Sequence, residues 1–304
     1  LSALTLDGLA EAIVDGVVIS NASHGAITLG GTDGVVLSNF NLSNVASGIL
    51  ASTGRVTDTT IDTGTIVLGA TSTGGNYGIE LLERANNNVA PGASVIRNVS
   101  ITLAADGDTG ISTTIGDAPS AVTIEGNLVD GGNHATRGVW VLPRPSSGSA
   151  TLINNIIIEH DYRGVDVGSV DRLASLYLAN NSFGNTSPDA QAYDLVYVAS
   201  DSSTPTTSVE FYNNLFVGHG SALDTGLQLN RAFSYFADYN LFWNLAENYR
   251  VGSTVEPDAL NDISGMDPEV NNALMEVNAT SPAVDAGNPA EAPATDYDGD
   301  MRPL

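Results

Sequence analysis

Paired asparagines ahead of a large apolar residue recur along this chain at near-regular spacing. The clearest copies are Leu152-Ile153-Asn154-Asn155-Ile156-Ile157, Leu176-Tyr177-Leu178-Ala179-Asn180-Asn181-Ser182-Phe183 and Phe211-Tyr212-Asn213-Asn214-Leu215-Phe216. Looser copies start at Val95, Val122 and Phe236. Alignment places Leu42, Ile61, Ile101, Val129, Ile157, Phe183, Phe216 and Phe242 in one apolar column, at intervals of 19, 40, 28, 28, 26, 33 and 26 residues. Three positions earlier stand Asn39, Asp58, Asn98, Gly126, Asn154, Asn180, Asn213 and Tyr239, and the next column holds Asn127, Asn155, Asn181, Asn214 and Asn240. A repeat of this period is the mark of a solenoid.

A second motif, glycine followed by apolar–variable–apolar, lies between these copies: Gly78-Ile79-Glu80-Leu81, Gly138-Val139-Trp140-Val141, Gly164-Val165-Asp166-Val167 and Gly226-Leu227-Gln228-Leu229, with Gly110-Ile111-Ser112 a looser fit. Such alternation turns one face inward and one outward. Each unit holds strands too short to bury their own apolar face. Stacking the units about 4.8 Å apart pairs each strand with its equivalents and piles Ile, Val, Leu and Phe into interior stacks. Asparagine tolerates left-handed turn geometry, and a column of it passes amide hydrogen bonds from coil to coil. The predicted fold is therefore all-β, a right-handed parallel β-helix of about ten coils over residues 1–252, roughly 45–50 Å long. A leucine-rich repeat needs a helix or a recurring Leu spacing in each unit, and a β-sandwich would not keep Asn in register.

Charge narrows the partners. Asp and Glu total 35 against ten basic residues, all of them Arg, for a net charge of −25. This balance repels nucleic acid and anionic membranes. It fits a secreted acidic protein or a protein adapted to high salt, where dense counterions screen the carboxylates. No apolar run approaches the roughly 18 residues of a membrane span, so no membrane insertion is expected. The absence of Cys excludes disulfides and thiol catalysis. The opening Leu1-Ser2-Ala3-Leu4 lacks Met and a basic segment and reads as a processed or trimmed start, not a signal peptide.

From residue 253 the repeat stops. Residues 253–304 carry eleven acidic side chains and one Arg, and are expected to cap the open end of the stack. The Asn-Asn-x-Phe coils, Tyr239-Asn240-Leu241-Phe242-Trp243, Ser281-Pro282-Ala283-Val284-Asp285-Ala286-Gly287 and Asp296-Tyr297-Asp298-Gly299-Asp300-Met301-Arg302-Pro303 together resemble bacterial right-handed β-helix repeat proteins of the pectate-lyase-like superfamily. The likeness covers about residues 90–304, with 1–90 joined through periodicity alone. It implies an extracellular or cell-surface protein, often tied to polysaccharide, that can be part of a longer chain with neighbouring domains. It also implies that the Asp-Gly-Asp segment runs on past Leu304. It does not imply one reaction, because the fold hosts lyases, hydrolases, epimerases and adhesins.

The outward column Glu80, Ser112, Trp140, Asp166 and Gln228 is the candidate surface. Arg84, Arg144 and Arg231 follow its strands, Arg137 and Arg163 precede them, and His134, His160 and Tyr162 lead in, so half of all Arg flank one ladder. Trp140 can stack on a sugar ring while Arg forks onto carboxylate or sulfate. The competing expectation is that each Arg pairs with a local carboxylate. For catalysis, His160, Tyr162, Arg163 and Asp166 stand close enough in sequence to supply a base and a cation for uronate elimination; a Lys base is impossible here. Gly218-His219-Gly220-Ser221 resembles a polygalacturonase motif, but that family's other motifs are missing. Asp296, Asp298 and Asp300 could converge on calcium or form a capping turn. The leading expectation is a polysaccharide-binding or adhesive module. The alternatives are a polysaccharide lyase or glycoside hydrolase on the same face, and a structural rod without a ligand.

Overall fold

The computed structural model describes residues 2–69, 75–83, 92–116, 120–134, 136–144, 148–185, 194–202, 207–220, 224–270, 274–298 and 301. The chain is all-β. Among the described residues the one helical element is a 3-10 turn at Val170–Arg172.

The strands form two long, mostly parallel stacks, an arrangement compatible with a β-helix. The first sheet has eleven strands. Ten follow one another in parallel, Leu4–Asp7, Gly25–Asp33, Ser47–Thr57, Tyr77–Glu83, Thr109–Ile115, Arg137–Pro143, Arg163–Val167, Asp194–Val198, Thr225–Leu229 and Glu247–Val251, and Thr254–Glu256 closes the edge antiparallel. The second sheet has sixteen strands in two rows. The rows share Val36–Val45, Thr60–Leu68 and Ala93–Thr102, which bend through a corner, and then separate into pairs such as Gly148–Ile153 with Ile156–His160. A chain visits one row, then the other, then the first sheet, before it repeats.

The corner works because of backbone conformation. Asn39, Thr63, Asn98, Gly126, Asn154, Asn180, Asn213 and Tyr239 occupy equivalent positions, all with φ between 51° and 61°. Asn and Gly reach this left-handed region with little strain. The register corrects the sequence alignment at one coil. Leu42 pairs with Ile66, not Ile61, and Ile66 with Ile101, so the corner residue is Thr63, not Asp58. The misreading has a physical cause. A β-branched residue at positive φ is an outlier that no propensity anticipates, whereas Asp58 is itself left-handed (φ 49°) at a different corner.

Inside that corner runs a buried amide ladder. The Nδ2 of Asn127 donates to Asn155 Oδ1 (3.0 Å), Asn155 to Asn181 (2.9 Å), Asn181 to Asn214 (3.0 Å) and Asn214 to Asn240 (3.1 Å). Each Nδ2 also donates to a carbonyl of the preceding coil, and each Oδ1 also accepts a backbone N–H. Corner groups that would be stranded away from water are thereby satisfied.

The core fills the space between the sheets with vertical stacks. Ile27, Ile49, Ile79, Ile111, Val139, Val165, Val196, Leu227 and Tyr249 form one. Phe183, Phe216 and Phe242 form another, with ring centroids 5.1 and 4.8 Å apart, close to the inter-strand spacing. The glycine of the second motif is required by close approach. A Cβ on Gly138 would stand 2.5 Å from the Gly164 carbonyl and 2.4 Å from Ile157 Cγ2, and Gly48, Gly78, Gly110 and Gly164 face the same crowding.

The second sheet runs on past residue 252, since Ile263–Ser264 pairs in parallel with Leu241–Trp243. Beyond it lies the tail. It turns back along the flank, where Asn213 exchanges hydrogen bonds with Asn288, the Tyr177 hydroxyl donates to the Glu291 carbonyl, and Asn154 donates to the Thr295 carbonyl. Met275 is buried there against Ile156, Ile158, Leu215, Val217 and Leu241.

Candidate functional site

Register in the first sheet builds the outward surface. Glu80, Ser112, Trp140, Asp166, Tyr197, Gln228 and Arg250 fall in one file, and Tyr77, Thr109, Arg137, Arg163, Asp194, Thr225 and Glu247 in a second. The two files meet over the three coils of Arg137–Pro143, Arg163–Val167 and Asp194–Val198. Asp166 Oδ2 accepts from Arg137 Nε and from Arg163 Nη1, both at 2.9 Å. Arg163 Nε lies 3.8 Å from Asp194 Oδ2. With its nitrogen turned toward that carboxylate, the Gln228 amide donates to Asp194 Oδ1 at 2.6 Å. Arg250 is hydrogen-bonded to Glu247 at the next position along.

Aromatic rings lie against the same cations. The Arg137 guanidinium sits 4.7 Å from the Trp140 ring and 4.6 Å from Tyr162. The Arg163 guanidinium sits 4.8 Å from Tyr162 and 3.5 Å from Tyr197. Cation–π attraction and the shared carboxylate fix both guanidiniums. Tyr162 keeps 40% of its surface exposed. Burial pushes the Asp194 carboxyl up to about 6, against the pull of Arg163 and Arg250 and with help from Asp166 and Glu247.

Several sequence candidates stand elsewhere. His160 is not on this face: it is buried, its Nε2 donates to the Val129 carbonyl (3.2 Å), and Nδ1 is 2.9 Å from the Thr136 hydroxyl. Burial lowers its pKa to about 4. It is a buried histidine whose proton-free form is favoured, held away from the Trp140–Asp166 face. Arg231 lies past the strand and donates to the Asp201 carbonyl. Arg144 is exposed and makes no ion pair with a described residue. Arg84 lies outside the described residues. Glu80, Trp140 and Gln228 are half-buried on the face, while Ser112 is buried. Asp296 and Asp298 line a flank cleft of about 400 Å³ with Arg97, Asn98, Glu125 and Asn154, away from the open end. Asp300 lies outside the described residues, and among those described no three His, Asp or Glu converge as metal ligands. His219 Nδ1 lies 2.9 Å from Asp224 Oδ2, and both side chains are buried.

Sequence reasoning missed Asp194, Tyr197, Glu247 and Arg250. Their strands carry Leu195 and Asn248 where the motif has glycine, so the motif does not pick them out. The apolar alternation of Val196-Tyr197-Val198 and Tyr249-Arg250-Val251 was the available signal. No protein-family model matches this sequence, and no curated protein does.

Proposed function

We propose that the chain is a right-handed parallel β-helix of about ten coils, extracellular or on the cell surface, that binds polysaccharide along the Trp140–Arg163–Tyr197 face. One observation carries the reading. Three aromatic side chains and two guanidiniums on three adjacent coils are locked into a single platform by Asp166. A rigid platform of rings and oriented polar groups suits a sugar, which offers apolar C–H faces and rim hydroxyls. Little side-chain freedom remains to be lost when it binds.

The test is a glycan array followed by titration calorimetry. Trp140→Ala and Tyr197→Ala should each weaken binding at least tenfold, a loss of about 1.4 kcal/mol. Undiminished binding in both variants would remove this face from consideration.

A second reading, glycoside hydrolase, is favoured by Asp194. Its carboxyl, pushed up to about 6 by burial, has the raised pKa suited to a general acid, and the Asp166 carboxyl shares its Arg163 partner. Release of reducing ends from a bound polymer, abolished by Asp194→Asn, would establish it. Binding without any release would leave the module non-catalytic.

A further inference from the structure

This inference rests on the glycan-binding reading above and names its ligand class. We infer that the face selects neutral, hydroxyl-rich glycans and discriminates against uronate and sulfated ones.

The reason lies in where the cations are already engaged. Arg137 and Arg163 converge on one oxygen of Asp166, Arg163 also faces Asp194, and Arg250 is held by Glu247. Counted with Glu80, the described residues of the two files carry three Arg and four carboxylates, a net charge of −1 in a protein of −25, and Arg144 lies past the end of the Trp140 strand, outside both files. A carboxylated or sulfated sugar gains affinity only by drawing a guanidinium away from its partner. The Asp166 side chain is only 7% exposed, so losing its cations would leave a carboxylate largely out of water and unpaired. The incoming anion would also meet Asp194 and Glu247 at close range. A neutral sugar asks for no such exchange. Its hydroxyls hydrogen-bond to groups already held in place, and its ring faces lie on Trp140, Tyr162 and Tyr197.

The two ligand classes also differ in salt response. Binding of a neutral sugar gains or loses little from screening, whereas binding of a polyanion changes with salt. Freeing a guanidinium should reverse the selectivity. Asp166→Asn leaves Arg137 and Arg163 without their shared anion, and the less buried Glu247→Gln does the same for Arg250.

The experiment is calorimetric titration of the intact protein with neutral β-1,4-linked gluco-, xylo- and manno-oligosaccharides and with oligogalacturonate of equal length. It is run at about 50 mM and about 500 mM NaCl. The expected result is neutral binding at least about tenfold tighter than uronate, changing less than about twofold with salt. Asp166→Asn, or Glu247→Gln should the first variant fail to fold, should raise uronate affinity about tenfold. Oligogalacturonate binding more tightly than every neutral sugar, with loss in Trp140→Ala, would overturn the inference and leave the glycan-binding reading standing. No binding of either class would overturn both.

Discussion

Asp262 Oδ1 accepts the backbone N–H of Asn240 at 2.8 Å. This contact ends the buried amide ladder, and it matches the ladder's polarity. In every link of the ladder the amide-to-amide bond from Asn127 onward is donated toward the C-terminal coils, so the links run one way and a carboxylate meets their donor end. Asp262 Oδ2 accepts from the Tyr249 hydroxyl at 2.6 Å and from the Ala259 N–H. Asp262→Ala leaves three donors without an acceptor and should cost about 3 kcal/mol, while Asp262→Asn, which keeps one acceptor, should cost about half as much. Denaturant midpoints of the two variants decide this. Equal losses would mean that the acceptor role is not what matters.

The glycine of the second motif is a steric requirement, so its smallest replacement should be costly. Gly138→Ala puts a methyl within 2.5 Å of a carbonyl oxygen and of a core methyl at once. Neither neighbour is the free end of a flexible chain, and about 3 kcal/mol of overpacking strain is expected. Gly265→Ala is the control for added side-chain bulk, because nothing lies within 4 Å of its added carbon, although its φ of 70° carries its own backbone strain. Comparison of thermal midpoints should show Gly138→Ala as clearly the more damaging change.

Two buried groups should oppose each other in acid. The Asp194 carboxyl lies at about 6 instead of 3.8. The folded state therefore binds that proton more tightly than the unfolded state, and this group lowers stability as pH rises from about 4 to about 6. His160 lies at about 4 instead of 6.5. The folded state excludes its proton, and stability is lost as pH falls from about 6.5 to about 4. Each shift is worth up to about 3 kcal/mol, so the two largely cancel in the parent protein. Asp194→Asn should therefore steepen the loss of stability on acidification, and His160→Gln should diminish or reverse it. Stability curves between about pH 6.5 and about pH 4 that stay parallel in both variants would contradict this account.

The returning tail is anchored by packing as well as by hydrogen bonds. Met275 fills the space left by Gly184, its Sδ lying 2.7 Å from where a Cβ would be. Met275→Asp should place an unpaired carboxylate in that apolar cluster, cost about 3 kcal/mol and expose residues 265–298 to proteolysis. Met275→Leu should cost less than about 1.5 kcal/mol and leave the tail protected. Mapping of the first proteolytic cuts distinguishes the two variants.

Legibility in the sequence followed the range of the forces involved. The alternation of Val139-Trp140-Val141 and the stacked Asn155, Asn181 and Asn214 were readable because each strand carries its own inward and outward faces and each corner needs its own left-handed residue. The slip from Thr63 to Asp58 shows the limit of that reasoning. Position 63 is left-handed because Asn39 and Asn98 lie above and below it, not because threonine favours the region. The same applies to the site. Trp140 and Asp166 were placed on one face by alternation, yet Tyr197 and Asp194 joined them only through strand pairing with residues 31 positions earlier.

The sequence by itself therefore determined the kind of structure, parallel strands in register with an asparagine corner, because period and corner chemistry are local properties repeated many times. The tertiary structure alone decided which guanidinium meets which carboxylate, that His160 points into the core, and that the acidic tail runs back along the flank. Those outcomes depend on distances between coils and on the space left by neighbouring side chains, and neither is written in any single repeat.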